Sequence, residues 1–166
     1  LGRWWSPEKP NLYDISFRLT IDGAEADRCD SYFGMRKVSI ENGKFHLNNR
    51  PYYMRLVLDQ GYFPDGVLTP PTEAAIRRDI ELTKAMGFNG VRKHQKTEDP
   101  LFLSECDRQG LLVWGECANA CSYSEEYVRR FTREWQEIVE RDYNHPSIVV
   151  WVPLNESWGV PNIQVD

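Results

Sequence analysis

Apolar and polar residues alternate with a period of two through the first third of the chain. The alternation is clearest over residues 13–21, where it is typical of a half-buried antiparallel strand. Further strands are predicted over residues 31–40, 44–47 and 52–58, separated by turn-forming segments that contain Asn and Gly. Because two or three strands are too few for an independent sandwich, we expect the chain to begin inside a β-domain.

From residue 52 the pattern changes to short, mainly apolar runs that alternate with amphipathic segments. The runs at residues 88–92, 111–114 and 148–152 predict buried strands. Helices are predicted between them, and residues with capping chemistry mark their ends: Thr72 before a helix to Met86, Asp99 and Gly110 around the second helix, and Ser122 with Glu125 before a third helix to about Tyr143.

The third predicted helix has one apolar face. Its members recur at helical spacing and are expected to form a buried stripe: Val128, Phe131, Trp135 and Ile138.

The order strand, helix, strand, helix predicts an α/β fold with a parallel sheet covered by helices. An open doubly wound sheet and part of a (βα)8 barrel both fit this order. A Gly-rich phosphate-binding turn after the first strand would favour the open sheet, and residues 59–63 are not such a turn. A barrel takes about 250 residues, so this chain would contain only four of its eight strands.

Composition excludes several classes of protein. Hydrophobic residues make up 41% of the chain and charged residues 27%, which argues against disorder. The formal net charge of -5 and the lack of a basic stripe argue against nucleic acid and anionic membranes as partners. No apolar run is long enough to span a membrane, and residues 1–20 lack the apolar core of a signal peptide, which slightly favours a cytoplasmic location.

A metal or another cofactor is not expected. Cys117 and Cys121 have a spacing that zinc sites can use, but none of the three His lies at a matching spacing nearby. The aromatic content of 13%, with six Trp and eight Tyr, instead suits a site that stacks on ring-shaped ligands.

Polar residues follow every predicted strand of the parallel sheet. Chemistry in α/β folds is found at the C-terminal ends of such strands. The candidates at these ends are Asp59, Arg92, His94, Glu116, Asn155 and Glu156, with Trp158 close by in sequence. Carboxylates beside aromatic rings suit a sugar, because its C–H face stacks while its hydroxyls form hydrogen bonds.

At these positions the sequence resembles glycoside hydrolase family 2, which contains β-galactosidases, β-glucuronidases and β-mannosidases. Residues 79–92 resemble the second-strand region of that family. Residues 141–148, followed by Trp151 and by Asn-Glu-Ser at 155–157, resemble its acid/base signature. Residues 5–14 are similar to part of the family's immunoglobulin-like domain. The Gly-Met-Arg of residues 34–36 is similar to the last strand of that domain.

The resemblance implies a domain division and a missing half. Residues 1–46 would be the last strands of an immunoglobulin-like β-sandwich, and residues 47–166 the first half of a TIM (βα)8 barrel. The family places its nucleophilic carboxylate on strand seven, so the nucleophile would be absent from this chain.

The reaction that the resemblance implies is double-displacement hydrolysis of terminal β-linked sugars by a retaining, β-galactosidase-like glycosidase. Glu156 would be the general acid/base, protonated to release the leaving alcohol and then ionised to activate water. Asn155 would bond the 2-hydroxyl of the sugar, and Arg92 would orient the nucleophile. The further substrate-binding residues would be His94, Glu116, Asp59 and Trp158.

Two departures from the family pattern bear on sugar specificity. His94 is displaced by one residue relative to the family's Ser-His-Tyr-Pro stretch. The turn of residues 152–154 reads Val-Pro-Leu, where a small residue usually follows the Trp.

Two other classes of function are also open. One is a non-catalytic carbohydrate-binding or interaction module derived from such a barrel. The other is an open-sheet enzyme that uses Cys117 or Cys121 as nucleophile with His94 or His145 as base, which would need an electropositive setting for the thiol. His145 precedes Pro146 at the opposite end of the sheet, where a structural cap is the expected role.

The incomplete barrel generates a prediction about assembly. Half a barrel has two unpaired edges, at the strands around Val57 and Val150, and unpaired edges are templates for association. We expect the 166-residue chain to self-associate. Sedimentation velocity tests this, and a monomer that persists at high protein concentration would contradict it.

Overall fold

The computed structural model describes residues 2–157 and 159–161. The antiparallel strands of the first third are β1 (Trp5–Ser6), β2 (Lys9–Pro10), β3 (Tyr13–Ile21), β4 (Ala24–Phe33), β5 (Val38–Glu41), β6 (Lys44–Leu47) and β7 (Arg50–Pro51). They are followed by β8 (Leu56–Asp59), α1 (Glu73–Ala85), β9 (Gly90–Lys93), α2 (Pro100–Gln109), β10 (Leu112–Glu116), α3 (Glu125–Asp142) and β11 (Ile148–Val152).

The last four strands form one sheet in the order β11-β10-β9-β8, and every pair in it is parallel. Val91 of β9 lies beside Val57 on one side and Val113 on the other. Gly90 permits this close packing, because a Cβ there would lie 2.4 Å from the Leu56 side chain. The predicted parallel arrangement is therefore confirmed.

The antiparallel strands form three small sheets: β1 with β2, β3 with β4, and β5-β6-β7. The strand predicted over residues 31–40 is wrong in its bounds, because β4 begins at Ala24 and the chain leaves strand geometry after Phe33. Contact with the barrel segment causes the break. A Cβ at Gly34 would lie 2.6 Å from the Pro146 ring, and the Arg36 guanidinium donates to the backbone oxygens of Pro146 and Ile148.

The first two helices begin and end as their capping residues predict. Thr72 Oγ1 accepts from Ala75 N at 3.1 Å, and Asp99 Oδ1 accepts from Leu101 N at 2.8 Å. Gly110 ends α2 in the left-handed region with φ 74°. It also lets the β1–β2 turn approach closely, because a Cβ there would lie 2.2 Å from the Pro7 oxygen.

The third helix differs from its prediction at two points. Its N-cap is Ser124, whose Oγ accepts from Tyr127 N at 3.0 Å, and not Ser122. Ser122 lies in the preceding turn, close to Gly159. The predicted stripe is only half-buried: Phe131, Trp135 and Ile138 are partly covered, and Val128 is 44% exposed.

The core has two layers, one on each face of the parallel sheet. One layer joins the sheet to α1 and α2 through Val91, Val113, Ile80, Phe102 and Cys106. The other layer joins the opposite face to the antiparallel strands, and its buried members are Trp5, Leu47, Leu112 and Val149. No helix of the described residues is long and apolar enough to span a membrane.

A buried carboxylate fastens the antiparallel strands to the N-terminal end of the sheet. The Asp107 side chain is fully buried and accepts from Tyr32 Oη at 2.8 Å, from Ser147 N at 2.9 Å and from His145 Nδ1 at 2.5 Å. Burial first, and then the charge of Asp107, raise the pKa of the Tyr32 hydroxyl, so that it remains a donor. The Trp5 indole donates to the Asp107 backbone oxygen at 2.8 Å. His145 thus has a structural contact at this end of the sheet.

This contact predicts that Asp107→Asn destabilises the chain. The Asn side chain has no negative charge, and its N–H group would face at least one of the groups that donate to Asp107. The free energy of unfolding should therefore fall by about 2–3 kcal/mol. Urea denaturation measures the change. Asp22→Asn is the control, because Asp22 is exposed in the β3–β4 turn with φ 52°, which Asn adopts readily. An Asp107→Asn midpoint equal to that of the control would contradict this role.

Candidate active site

Three of the predicted site residues meet at the C-terminal end of the parallel sheet. Arg92 is the last residue but one of β9, Glu116 ends β10, and Asn155 follows β11. Arg92 Nε donates to Glu116 Oε2 at 2.8 Å, and Arg92 Nη2 donates to Asn155 Oδ1 at 2.8 Å. One guanidinium therefore connects the ends of three neighbouring strands.

Glu116 is the buried anion of this group, with a side chain that is 0% exposed. Its second oxygen, Oε1, accepts from Gln95 N at 2.9 Å. Both carboxylate oxygens thus have donors, one of them charged, which offsets the cost of burying the side chain. This arrangement suits Glu116 to orienting Arg92 and leaves it poorly placed to exchange protons with a ligand.

Asn155 is held on both its backbone and its side chain. Its backbone N–H donates to Asn119 Oδ1 at 2.9 Å, and its Oδ1 faces Arg92. Because Oδ1 accepts from Arg92, the Nδ2 group is the part of this amide that can donate to a ligand.

Glu156 lies beside a cavity of about 230 Å³ lined by His94, Gln95, Asn119, Cys121, Asn155 and Glu156. In contrast to Glu116, Glu156 is exposed. Glu156 and Ser157 adopt φ values of 53° and 56°, in the left-handed region that residues other than glycine rarely occupy. Such strain costs on the order of 1–3 kcal/mol per residue and is concentrated at functional sites.

His94 forms part of the cavity wall, and its ring is oriented by Gln60. The Gln60 amide donates to His94 Nδ1 at 3.1 Å. With Nδ1 engaged by this contact, Nε2 is the ring nitrogen that is left to donate to a ligand. The His94 backbone is fixed by donation to the Asp59 oxygen at 2.8 Å.

The Asp59 side chain lies apart from the side chains of the other predicted site residues. It accepts from Lys93 Nζ at 2.6 Å and from Gly61 N at 2.7 Å, on the face of the sheet that packs against α2. Consecutive residues of a strand point to opposite faces, so the partner of Lys93 cannot share the face of Arg92. Trp158 lies outside the described residues.

Four residues that contact this site were not among the substrate-binding residues predicted from the sequence: Gln60, Gln95, Asn119 and Cys121. Of these, Cys121 was predicted only as a nucleophile, in the alternative thiol mechanism. Gln60 and Gln95 follow strand ends directly, and this position was a signal for them. Gln95 acts through its backbone N–H, which no residue type reveals. Asn119 and Cys121 lie in the loop after β10, whose path depends on tertiary packing.

Of the thiol and imidazole pairs that the sequence suggested, the described residues bring only Cys121 and His94 to one cavity. Cys117 is buried, and burial raises the pKa of its thiol, which disfavours the thiolate that a nucleophile needs. Cys121 lines the cavity with His94, whereas His145 lies at the other end of the sheet beside Asp107. Among the described residues no group of three or more His, Cys, Asp or Glu side chains could hold a metal ion.

Two family models match this chain. Residues 38–165 match the model described as "Glycosyl hydrolases family 2, TIM barrel domain", and residues 3–36 match "Glycosyl hydrolases family 2". The predicted boundary between residues 46 and 47 stays a prediction. The predicted fold is confirmed: the first half of a TIM barrel preceded by the last strands of an immunoglobulin-like β-sandwich.

Individual relatives match nearly all of this chain but only part of their own length. β-Galactosidase 2 of Enterobacter cloacae is 36% identical over 166 residues, which cover 92% of this chain and 16% of that protein. The crystal structure of a β-galacturonidase from Eisenbergiella tayi bound to galacturonate is 33% identical, with a TM-score of 0.80 over 91% of this chain and 28% of that one. A β-glucuronidase from Ruminococcus gnavus is 25% identical, with a TM-score of 0.86 over 93% and 28% of the two chains.

The chain therefore spans less than a third of each of these relatives. The match to the barrel model covers more than half of the chain and includes all four parallel strands and their polar ends. On this ground the chain belongs to glycosyl hydrolase family 2.

Proposed function

We propose that this chain supplies the acid/base half of the active site of a retaining β-glycosidase, with Glu156 as the general acid/base. The observation that carries the proposal is the arrangement at the ends of the strands. Asn155 is locked by Arg92 and Asn119, and the next residue, Glu156, lines the cavity in a left-handed conformation. An exposed carboxyl beside a rigid polar cluster can both give and accept a proton.

In the first step, Glu156 transfers its proton to the glycosidic oxygen as the bond from that oxygen to the anomeric carbon breaks. A second carboxylate attacks the anomeric carbon and forms a covalent glycosyl–enzyme. In the second step, ionised Glu156 removes a proton from water, whose oxygen attacks the anomeric carbon and releases the second carboxylate. That carboxylate has to be supplied by further chain, on the barrel's seventh strand in the family pattern.

The neighbours of Glu156 have separate roles in this proposal. Asn155 Nδ2 donates to the 2-hydroxyl of the sugar, a contact that strengthens as the transition state acquires positive charge. Arg92 is held by Glu116 in an orientation that presents its remaining N–H groups to the nucleophile. His94 donates from Nε2 to a sugar hydroxyl, and Glu116 acts through Arg92. The proposed role of Trp158 is to stack on the sugar ring.

The proposed substrate class is a terminal β-linked sugar. The relatives are named as enzymes for a galactoside, a glucuronide and a galacturonide, which share the β-linked pyranose and differ in its substituents. The feature that these substrates share, the β-glycosidic bond, therefore defines the proposed substrate class. The Asp59 carboxylate already accepts from Lys93 and Gly61, which favours a role in supporting the site over direct binding of the sugar.

The first prediction of this proposal concerns the 166-residue chain. A retaining mechanism needs two carboxylates about 5–5.5 Å apart, and Glu116 and Asp59 both have other partners. We expect no hydrolysis of nitrophenyl β-glycosides by the purified chain, measured by release of nitrophenol. Turnover that disappears in Glu156→Gln would contradict the need for a further carboxylate.

The second prediction concerns the protein encoded by the complete reading frame around this sequence. Without Glu156 the leaving oxygen is not protonated, so Glu156→Gln should lower kcat/KM by about 10²–10⁴-fold on alkyl β-glycosides and much less on dinitrophenyl β-glycosides. Azide needs no general base, so it should restore turnover of the activated substrates and yield a β-glycosyl azide. Rates with both substrates and NMR of the product measure this.

The matched control is Glu125→Gln, because Glu125 is an exposed carboxylate in the first turn of α3. It should leave both rates unchanged. Equal losses on both substrates without azide rescue would remove Glu156 from the acid/base role. A complete protein that binds β-glycosides but does not hydrolyse them would favour the non-catalytic module.

A further inference from the structure

Two lysines and two carboxylates form a buried network on the face of the sheet opposite the cavity. Lys93 Nζ contacts Asp59 Oδ2 at 2.6 Å and Glu98 Oε2 at 2.5 Å. Lys96 Nζ contacts Glu98 Oε1 at 3.0 Å and donates to the Gly61 oxygen at 2.9 Å. We call these four side chains the lysine network.

The members of the lysine network are expensive to bury. The Lys93 and Glu98 side chains are only 2% and 4% exposed, and the Phe102 ring covers Lys93 with its centroid 4.6 Å from Nζ. Desolvation of such charges offsets most of the attraction between them, and apolar residues of the same volume often give equal or greater stability. Fold stability alone therefore does not explain why four charged side chains lie here.

The lysine network encloses a short segment that forms one wall of the candidate site. Lys93 begins this segment and Lys96 with Glu98 ends it, so both ends are fixed to each other and to the β8 end at Asp59 and Gly61. Between them, Gln95 adopts φ 51° and donates its backbone N–H to Glu116.

The segment continues into the contacts of the site. Glu116 accepts from both Gln95 N and Arg92 Nε, and Arg92 in turn donates to Asn155. Since Arg92 and Lys93 are neighbours on one strand, Arg92 faces the site while Lys93 faces the lysine network. A shift of the segment would therefore move the donor on which Glu116 depends.

We propose that Lys93 is a positioning residue: paired with Glu98 and Asp59, it holds residues 94–97 in the conformation in which the Gln95 N–H reaches Glu116 and His94 lines the cavity. The inference rests on the proposed function for its catalytic consequence. Its structural part, the control of the Gln95 amide by Lys93, can be measured without any activity.

The structural test is amide hydrogen exchange, resolved to single residues by mass spectrometry, on the protein from the complete reading frame. In Lys93→Met the exchange rate of the Gln95 amide should rise by about tenfold or more, because a hydrogen bond to a charged acceptor is lost. The amides of Val91 and Val113, inside β9 and β10, should keep their rates. A merely structural role would raise all of these rates together, and that result would overturn the proposal, as would an unchanged Gln95 rate.

Two further variants keep this test decisive. Lys44→Met is the matched control, because Lys44 is exposed in the β5–β6 hairpin, and it should change none of these rates. If Lys93→Met does not fold, Lys93→Met with Glu98→Gln removes both charges of the Lys93–Glu98 pair and keeps the volume of both side chains. The same selective increase at Gln95 is expected in this double variant, and its absence would overturn the proposal.

The catalytic test uses the protein from the complete reading frame. Displacement of an orienting group by about 1 Å can lower a rate by about 10²-fold, so Lys93→Met should reduce kcat by about 10- to 100-fold with a smaller change in KM. An active wild type with full kcat in Lys93→Met would overturn the positioning role alone. A wild type without glycosidase activity would overturn the proposed function and leave the amide-exchange result standing.

Discussion

The end of the sheet that carries the candidate site depends on the burial of the Glu116 charge. A carboxylate without water contact has to be met by donors at each oxygen, and here the donors are Arg92 and the Gln95 backbone. Arg92 also reaches Asn155, so this requirement ties the ends of β9, β10 and β11 together. Glu156, which follows Asn155, obtains its place from that arrangement while its own side chain remains exposed.

A second buried carboxylate organises the opposite end of the sheet. Asp107 accepts from Tyr32 on β4 and from His145 and Ser147 before β11, so it is one of the contacts between the antiparallel strands and the barrel segment. Both ends of the sheet contain a buried carboxylate that accepts hydrogen bonds from several elements, but the two carboxylates have different roles. One holds polar groups beside a cavity, and the other closes an interface between two parts of the fold.

The family match covers the whole of the candidate site. The barrel model covers the parallel strands and the loops that line the cavity, including Glu156. The structure adds a separation that the family signature does not contain. Asp59 and Lys93 lie on the helix side of the sheet, whereas Arg92 lies on the side of the cavity. A substitution in the first group would therefore reach the site only through the backbone.

Local sequence patterns were enough to predict most elements of this protein, because strand periodicity and helix caps such as Thr72 and Asp99 depend on residues within a few positions of one another. They were not enough for the bounds of β4 or for the N-cap of α3. The sequence also determined the set of polar strand ends, since Asn155 and Glu156 directly follow an apolar run. Which of these groups meet depends on the tertiary structure. The contact of Gln95 with Glu116 and the separation of Asp59 from Arg92 depend on the register and facing of strands that are distant in sequence. That register is set by packing across the whole sheet, which no local pattern encodes.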